Sequence, residues 1–288
     1  MKPILEVLSH SEESSFILHK PDHPYFFTPW HFHPEYEIIL ITESEGTRFV
    51  GDSIESFAPG DLVFMGPKLP HVWKNNKEYY GKISKKKAKA VVLQFLGKYW
   101  ETEFVNLPEM KKVKELFKNA KQGIKFTGKT RNILIKQIHL ISTLKGSERL
   151  IEFFRMINIM SKTKDQEMLS STEFTKVENF QDGEKINKVF EYVFDNFNQK
   201  IELAKIAAIA NMSQTGFCRY FKKRTNKPFS RFLNEIRIGY AKRLLKEDHQ
   251  KIIQICYDCG FNNLSNFNEQ FKKITNITPT QYQKNFFS

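Results

Sequence analysis

The sequence predicts an α+β chain of more than one domain: a small β-barrel at the N-terminus, a helical hairpin behind it and an all-α domain at the C-terminus. Three observations carry this prediction. Short apolar runs alternate with turn residues across 20–97, the hydrophobic period lengthens from two to about 3.6 after Gly97, and the last third of the chain contains a repeat. A length of 288 residues suits two domains with cores of their own, and 40% hydrophobic with 27% charged residues is the composition of a globular protein. No apolar run approaches the ~18 residues of a membrane span, and residues 1–10 lack the continuous apolar core of a signal peptide, so a cytoplasmic protein with no membrane partner is expected. Cys218, Cys256 and Cys259 are too few and too clustered to staple the chain.

The barrel, residues 1–97, rests on predicted strands at 37–42, 47–50, 62–65 and 90–96. Gly51-Asp52, Pro59-Gly60-Asp61, Gly66-Pro67 and Pro70 punctuate them, and the basic stretch 82–89 reads as a solvated loop. Beyond Gly97, Pro108 suits the first turn of a helix that places Val113, Leu116, Phe117 and Ala120 on one face, with Gly123 at its end. Two more helices follow, one through Ile133, Leu134, Gln137, Ile138, Ile141 and Leu144, the other through Leu150, Phe153, Phe154 and Ile157, with Gly146 as the turn between them. This hairpin, 98–161, is either internal packing or a dimer interface. The span 162–183 is polar and aperiodic, the composition of a tether, and 184–288 forms the C-terminal domain.

Charge is uneven along the chain, whose formal net charge is +13. Residues 181–288 carry 18 basic and 10 acidic side chains, and between 213 and 231 stand Arg219, Lys222, Lys223, Arg224, Lys227 and Arg231 with no acidic residue. A phosphate-facing surface needs such a bias, although a solvated lysine face is the commoner cause of a charge run. The repeat is more specific. Phe217, Phe221-Lys222-Lys223 and Thr225-Asn226 recur as Phe267, Phe271-Lys272-Lys273 and Thr275-Asn276, each displaced by 50 positions. At the same offset Ser213 and Asn263 are paired helix caps, Ile206 and Ile209 fall opposite Cys256 and Cys259, and Asn226 and Asn276 suit left-handed helix ends. Each unit reads as a helix (202–210; 252–260), a three-residue turn and a second helix, which is the helix-turn-helix arrangement. Ala204, Ala207, Ala208 and Gly260 allow close helix crossing, and a helix over 230–246, packed through Phe232, Ile236, Tyr240, Ala241, Leu244 and Leu245, joins the units. Cys256-x-x-Cys259 has no second pair and reads as two buried small hydrophobes.

The stretches MSQTGFCRYFKKRTNKPF, RIGYAKRLL and CGFNNLSNFNEQFKKITNITPTQY resemble the DNA-binding domain of the AraC/XylS family of transcription regulators. The resemblance implies two recognition helices in successive major grooves of promoter DNA. By position it implies base readers Gln214, Thr215, Cys218 and Arg219 in the first unit and Leu264, Ser265, Asn266 and Glu269 in the second, with Lys222, Lys223 and Lys272 further along the helices. Glu269 departs from the arginine that relatives very often carry, so the second helix is expected to read fewer bases or different ones.

In the barrel, His31, His33 and Glu37, followed by His71, resemble the HxHxxxE motif and later histidine of the cupins, whose fold is a jelly-roll barrel. That resemblance implies a four-ligand metal site, and imidazole with carboxylate suits iron, manganese, nickel or zinc. On a straight strand His33 and Glu37 stand about 13 Å apart, so the chain must bend, with Pro34 or a bulge as the place. Cupin-like barrels joined to AraC-type domains resemble effector-sensing modules that need no metal. His31, His33, Glu37 and His71 are therefore taken first as walls of an effector pocket, with no cofactor assigned, and Phe26, Phe27, Trp30, Phe64 and Trp73 around them as core. The reading is a regulator, not an enzyme, with promoter DNA, a small-molecule effector, a second copy of the chain and, for an activator, RNA polymerase as partners. Its rivals are a metal-dependent cupin enzyme, a dioxygenase or isomerase with a helical appendage, and a constitutive DNA binder whose barrel serves assembly.

Overall fold

Strand-forming residues concentrate ahead of Gly97, as predicted. In chain order they form β1 (Ile4–Leu5), β2 (Ile17–His19), β3 (Asp22–His23), β4 (His31–Phe32), β5 (Glu35–Glu43), β6 (Gly46–Val50), β7 (Ser53–Phe57), β8 (Leu62–Met65), β9 (His71–Asn75) and β10 (Ala88–Leu96). Two short strands, β11 (Ile124–Phe126) and β12 (Gln166–Met168), join from later in the chain. The computed structural model describes residues 4–5, 14–51, 53–81, 84–100, 102–171, 183–225, 227–245 and 250–287, and it divides into two compact units, one of 4–53 and 57–176 and one centred on 177–288.

In the first unit the strands make two sheets, β1-β4-β9-β6-β7 and β12-β11-β8-β5-β10-β2, with β3 also on β10. β5 and β10 pair antiparallel at the centre of the second sheet, and both of its faces are covered. Tyr36, Ile38, Leu40, Leu93 and Phe95 point into the main apolar core, while Glu37, Ile39, Val92 and Gln94 on the alternate face line a cavity. Burial on both sides explains why these strands read as unbroken apolar runs.

The helices α1 (Gly97–Trp100), α2 (Lys111–Ala120), α3 (Gly128–Ile141) and α4 (Gly146–Lys162) supply the other half of that core. Val113, Leu116, Phe117 and Ala120 are the buried face of α2, as its period requires. The Tyr36 and Phe95 rings stack at 5.1 Å, and Phe95 meets Phe153 of α4 edge-on at 5.2 Å. Barrel and hairpin thus share one core, which corrects their separation into 1–97 and 98–161. The tether expected at 162–183 is also shorter at its start. β12 pairs with β11, and Ser170 donates its backbone N–H to Gln122, so this stretch belongs to the sheet through main-chain bonds that leave no hydrophobic signature.

The second unit holds α5 (Gly183–Asn196), α6 (Leu203–Ile209), α7 (Gln214–Thr225), α8 (Phe229–Leu244), α9 (Ile252–Asp258), α10 (Leu264–Thr275) and α11 (Pro279–Phe287). α7 and α10 keep the 50-residue offset, each burying its two phenylalanines completely. The preceding helices do not. Ile206, Ala207 and Ala210 are buried in the first unit and Ile255, Cys256 and Cys259 in the second, an offset of 49. One extra residue in the second turn restores the register, so Cys256 replaces Ala207 and Cys259 replaces Ala210, not the isoleucines. Both cysteines are buried small residues, as expected, while Ala204 and Ala208 are exposed and take no part in the crossing.

The caps follow their chemistry. The Asn263 side chain accepts the Asn266 N–H at 2.8 Å, and Ser213 Oγ accepts the Gly216 N–H at 3.2 Å. Asn276 closes α10 at φ +64, whereas Asn226 lies outside the described residues. α8 joins the units as predicted: Asn234 bonds Gln270 of α10 at 3.2 Å, and Arg237 donates to the Phe197 and Gln199 carbonyls while its guanidinium lies over the Phe261 ring. Among the described residues no helix is long and apolar enough to cross a membrane.

Candidate nucleic-acid interface and effector cavity

Burying Phe217 and Phe221 on the inner face of α7 forces the alternate face outward. Gln214, Thr215, Cys218, Arg219, Lys222 and Lys223 are all exposed, and on α10 so are Ser265, Asn266, Glu269 and Lys272. Leu264 is the exception, because it packs against the core around Phe267 and Phe271. The basic run between 213 and 231 is also less uniform than its composition implies. Lys227 is buried with its Nζ 2.7 Å from Glu235, and Arg231 reaches the other oxygen of the same carboxylate at 3.1 Å. Glu235 lies just beyond that run, so only the structure shows that Lys227 is buried in an ion pair and that Arg231, though exposed, is tied to the same carboxylate, while Arg219, Lys222 and Lys223 face solvent.

In the first unit, β4 and β9 set His31 directly opposite His71. The chain then leaves that sheet at His33-Pro34 and enters β5 in the other, and this crossing is the bend the motif demanded. It brings His33 Nε2 to 3.1 Å from Glu37 Oε2 and His71 Nε2 to 3.6 Å from Glu37 Oε1. The imidazoles of His31, His33 and His71 each offer a nitrogen within 4.8 Å of the others, and all three are buried. Main-chain carbonyls orient the rings. His31 Nδ1 lies 2.9 Å from the Pro29 oxygen and His71 Nδ1 2.8 Å from the Leu69 oxygen, so each donates there and carries its lone pair on Nε2.

Charge divides the cluster unequally. Burial opposes a charge on His33, but the Glu35 and Glu37 carboxylates on either side of its ring prevail and hold its pKa up to about 10. Burial works against Glu37 as well, yet His33, His71 and His31 together keep its carboxyl well below the usual range. Burial and the neighbouring His31 push His71 well down, so it is neutral. Its Nε2 has no hydrogen-bond partner among the described residues. The imidazoles of His31, His33 and His71 could hold a divalent metal with the Glu37 carboxylate beside them, provided that His33 gives up its proton.

The cluster borders a cavity of about 210 Å³ between the sheets, lined by His31, Glu37, His71, Trp73 and Gln94 at the polar end and by Phe26, Phe27, Ile39 and Val92 elsewhere. Phe26 and Phe27 are therefore wall rather than core, and Phe27 is 65% exposed, while Trp30, Phe64 and Trp73 are buried as predicted, Trp73 lining the cavity as well. Sequence reasoning missed Glu35, His19, His23 and Gln94. Gln94 had a signal: it is the polar interruption of the apolar run from Val91 to Phe95, and the β5–β10 register sets it opposite Glu37.

Residues 206–285 match the model of a helix-turn-helix domain. Over 297 aligned positions covering 99% of each chain, the protein is 24% identical to the HTH-type transcriptional activator RhaR of Mannheimia succiniciproducens. It is 30% identical over 100 residues to an uncharacterized HTH-type transcriptional regulator, YdeC of Bacillus subtilis, spanning 35% of this chain and 34% of that one. The solved structure of fatty-acid-bound ToxT from Vibrio cholerae aligns over 95% of this chain and 96% of that one at 17% identity and a TM-score of 0.36. Residues 206–285 are thus a helix-turn-helix domain that holds two such units, and the chain is similar end to end to an HTH-type transcriptional activator.

Proposed function

We propose that the protein binds a specific promoter site through α7 and α10 and that a small molecule in the barrel cavity alters this binding. The observation that carries the reading is the paired burial of Phe217 with Phe221 and Phe267 with Phe271, which leaves two equivalent helix faces open to DNA. These faces expose Gln214, Thr215, Cys218, Arg219, Ser265, Asn266 and Glu269, which in this reading meet base edges, and Lys222, Lys223 and Lys272, which meet phosphates. Effector binding changes the population of protein able to hold its site, with the cavity bounded by His31, Glu37 and His71 as the sensor. A metal held by His31, His33, His71 and Glu37 would supply a Lewis acid to an oxygen-bearing effector.

A cytoplasmic homodimer is the form that suits this role, with Ile133, Leu140 and Ile151 exposed on the hairpin as contact candidates. The similarity to an activator supports contact with RNA polymerase. Selection of bound sequences from a random DNA library, repeated with metabolite pools, tests the reading, and its failure would be the recovery of no preferred sequence. The enzyme reading draws on the same histidines. Stoichiometric iron, manganese or nickel with turnover lost in His33→Ala would favour it, and sequence-specific binding by metal-free protein would refute it.

A further inference from the structure

The polar end of the cavity holds two buried acceptors without hydrogen-bond partners among the described residues. Glu37 is a carboxylate, so the Gln94 amide must turn its NH2 toward it, and Nε2 donates to Glu37 Oε2 at 2.6 Å. The opposite rotamer would set oxygen against oxygen. This fixes Gln94 Oε1 as an acceptor that is buried, borders the cavity and has no hydrogen-bond partner among the described residues. His71 Nε2 is a second such acceptor, because its Nδ1–H is engaged by the Leu69 carbonyl. The Trp73 Nε1–H is a buried donor on the wall, also without a partner among the described residues. No lysine or arginine lines the cavity among the described residues, and the Glu37 carboxylate is already paired with His33. The cavity's volume of about 210 Å³ exceeds the roughly 150 Å³ that holds a benzene ring in an apolar cavity.

We propose that Gln94 determines the specificity of this cavity and that its ligand is an uncharged single-ring molecule presenting a hydroxyl hydrogen to Gln94 Oε1. This rests on the reading of the cavity as the effector site. The ring lies against Phe26, Phe27 and Trp73, its hydroxyl donates to Gln94, and the hydroxyl oxygen accepts from a neighbouring donor such as Trp73. Gln94 asks for a donor whether or not a metal sits on the histidines, because its amide oxygen is not one of their ligand atoms. A ligand without that hydrogen leaves a buried acceptor unpaired.

The test uses the full chain and two matched pairs, phenol with anisole and cyclohexanol with methoxycyclohexane, titrated by ligand-observed NMR. Each alcohol is expected to bind about tenfold or more tightly than its methyl ether, and the better alcohol shows whether the ring is flat or saturated. In Gln94→Met the ratio falls toward one. Ethers that bind as well as the alcohols, or a ratio unchanged in Gln94→Met, overturn the proposal, and the first comparison needs no variant to fold. DNA affinity measured in parallel separates the two claims. Alcohol-selective binding with no effect on DNA affinity supports the ligand class and refutes the effector reading, whereas equal DNA responses to alcohol and ether do the reverse.

Discussion

Gly260 and Asn211 occupy equivalent points in the two helix-turn-helix units, and exchanging their residues separates two physical effects. Both have positive φ, +83 at Gly260 and +53 at Asn211. At Asn211 the side chain is accommodated, and asparagine tolerates this region. At Gly260 a Cβ would stand 2.7 Å from the Phe197 carbonyl oxygen and 2.8 Å from the Asn198 carbonyl carbon, main-chain atoms that cannot turn aside. Gly260→Asn removes most of the dihedral penalty but keeps the collision, and forcing atoms into packed structure costs ~1–3 kcal/mol. Gly260→Ala adds the left-handed penalty of ~1–2 kcal/mol. Asn211→Gly meets no collision and should change stability by less than ~1 kcal/mol. The three tryptophans, Trp30, Trp73 and Trp100, all belong to the first unit, so their fluorescence follows that unit while far-ultraviolet circular dichroism follows helices in both. With m near ~2 kcal/mol/M, a loss of 2 kcal/mol moves the urea midpoint by ~1 M. The expected result is a large dichroism shift in Gly260→Asn, little in Asn211→Gly, and an unmoved tryptophan transition in both. Equal and small shifts in the two variants would refute the assigned collision.

Other expectations follow from single contacts. Asn263→Ala removes the α10 cap and should cost ~0.5–2 kcal/mol by the same dichroism measurement; no change would mean that the cap is dispensable. Lys222→Ala should reduce the slope of log binding constant against log salt by about one, whereas Lys227→Ala should leave the slope unaltered, because Glu235 already pairs that cation. Equal slope changes would contradict the division between solvent-facing and internal cations. Arg219→Ala should weaken binding to the selected site by ~1–3 kcal/mol and relax preference at one base position, as read by repeating the selection. Asp165 accepts the Thr130 backbone N–H and hydroxyl, and these bonds lower its pKa from the ordinary 3.8. A depressed carboxylate stabilises the fold above that value and loses the contribution as pH falls below it, so the acid transition seen by tryptophan fluorescence should be flatter in Asp165→Asn.

What the sequence made legible depended on whether side chains or main chain carried the information. The repeat was visible because Phe217, Phe221 and their partners must be apolar at fixed helical spacing, and the family resemblance follows those positions. The extra residue in the second turn was hidden, since alanine, isoleucine and cysteine all suit apolar helix positions and an offset of 49 matches nearly as well as 50. β12 was hidden for a different reason: its side chains are largely exposed and its place in the sheet is set by backbone pairing with β11. The histidines were readable as a motif, and even the bend at Pro34 followed from the distance that a straight strand imposes.

Gln94 was the legible residue left unread. A polar side chain in a strand covered on both faces stands out against Val91, Val92, Leu93 and Phe95, and leaving a buried amide group unpaired costs ~1–3 kcal/mol. Glu37 satisfies its nitrogen but cannot satisfy its oxygen, so Gln94 gains only half of what would justify its burial. An apolar residue there would avoid the unpaired oxygen but deprive Glu37 of a donor, and glutamine is the choice that both holds Glu37 and keeps an acceptor turned toward the cavity. That half-satisfied state is the physical reason to look for a ligand at this point of the barrel rather than at the exposed surface of either unit.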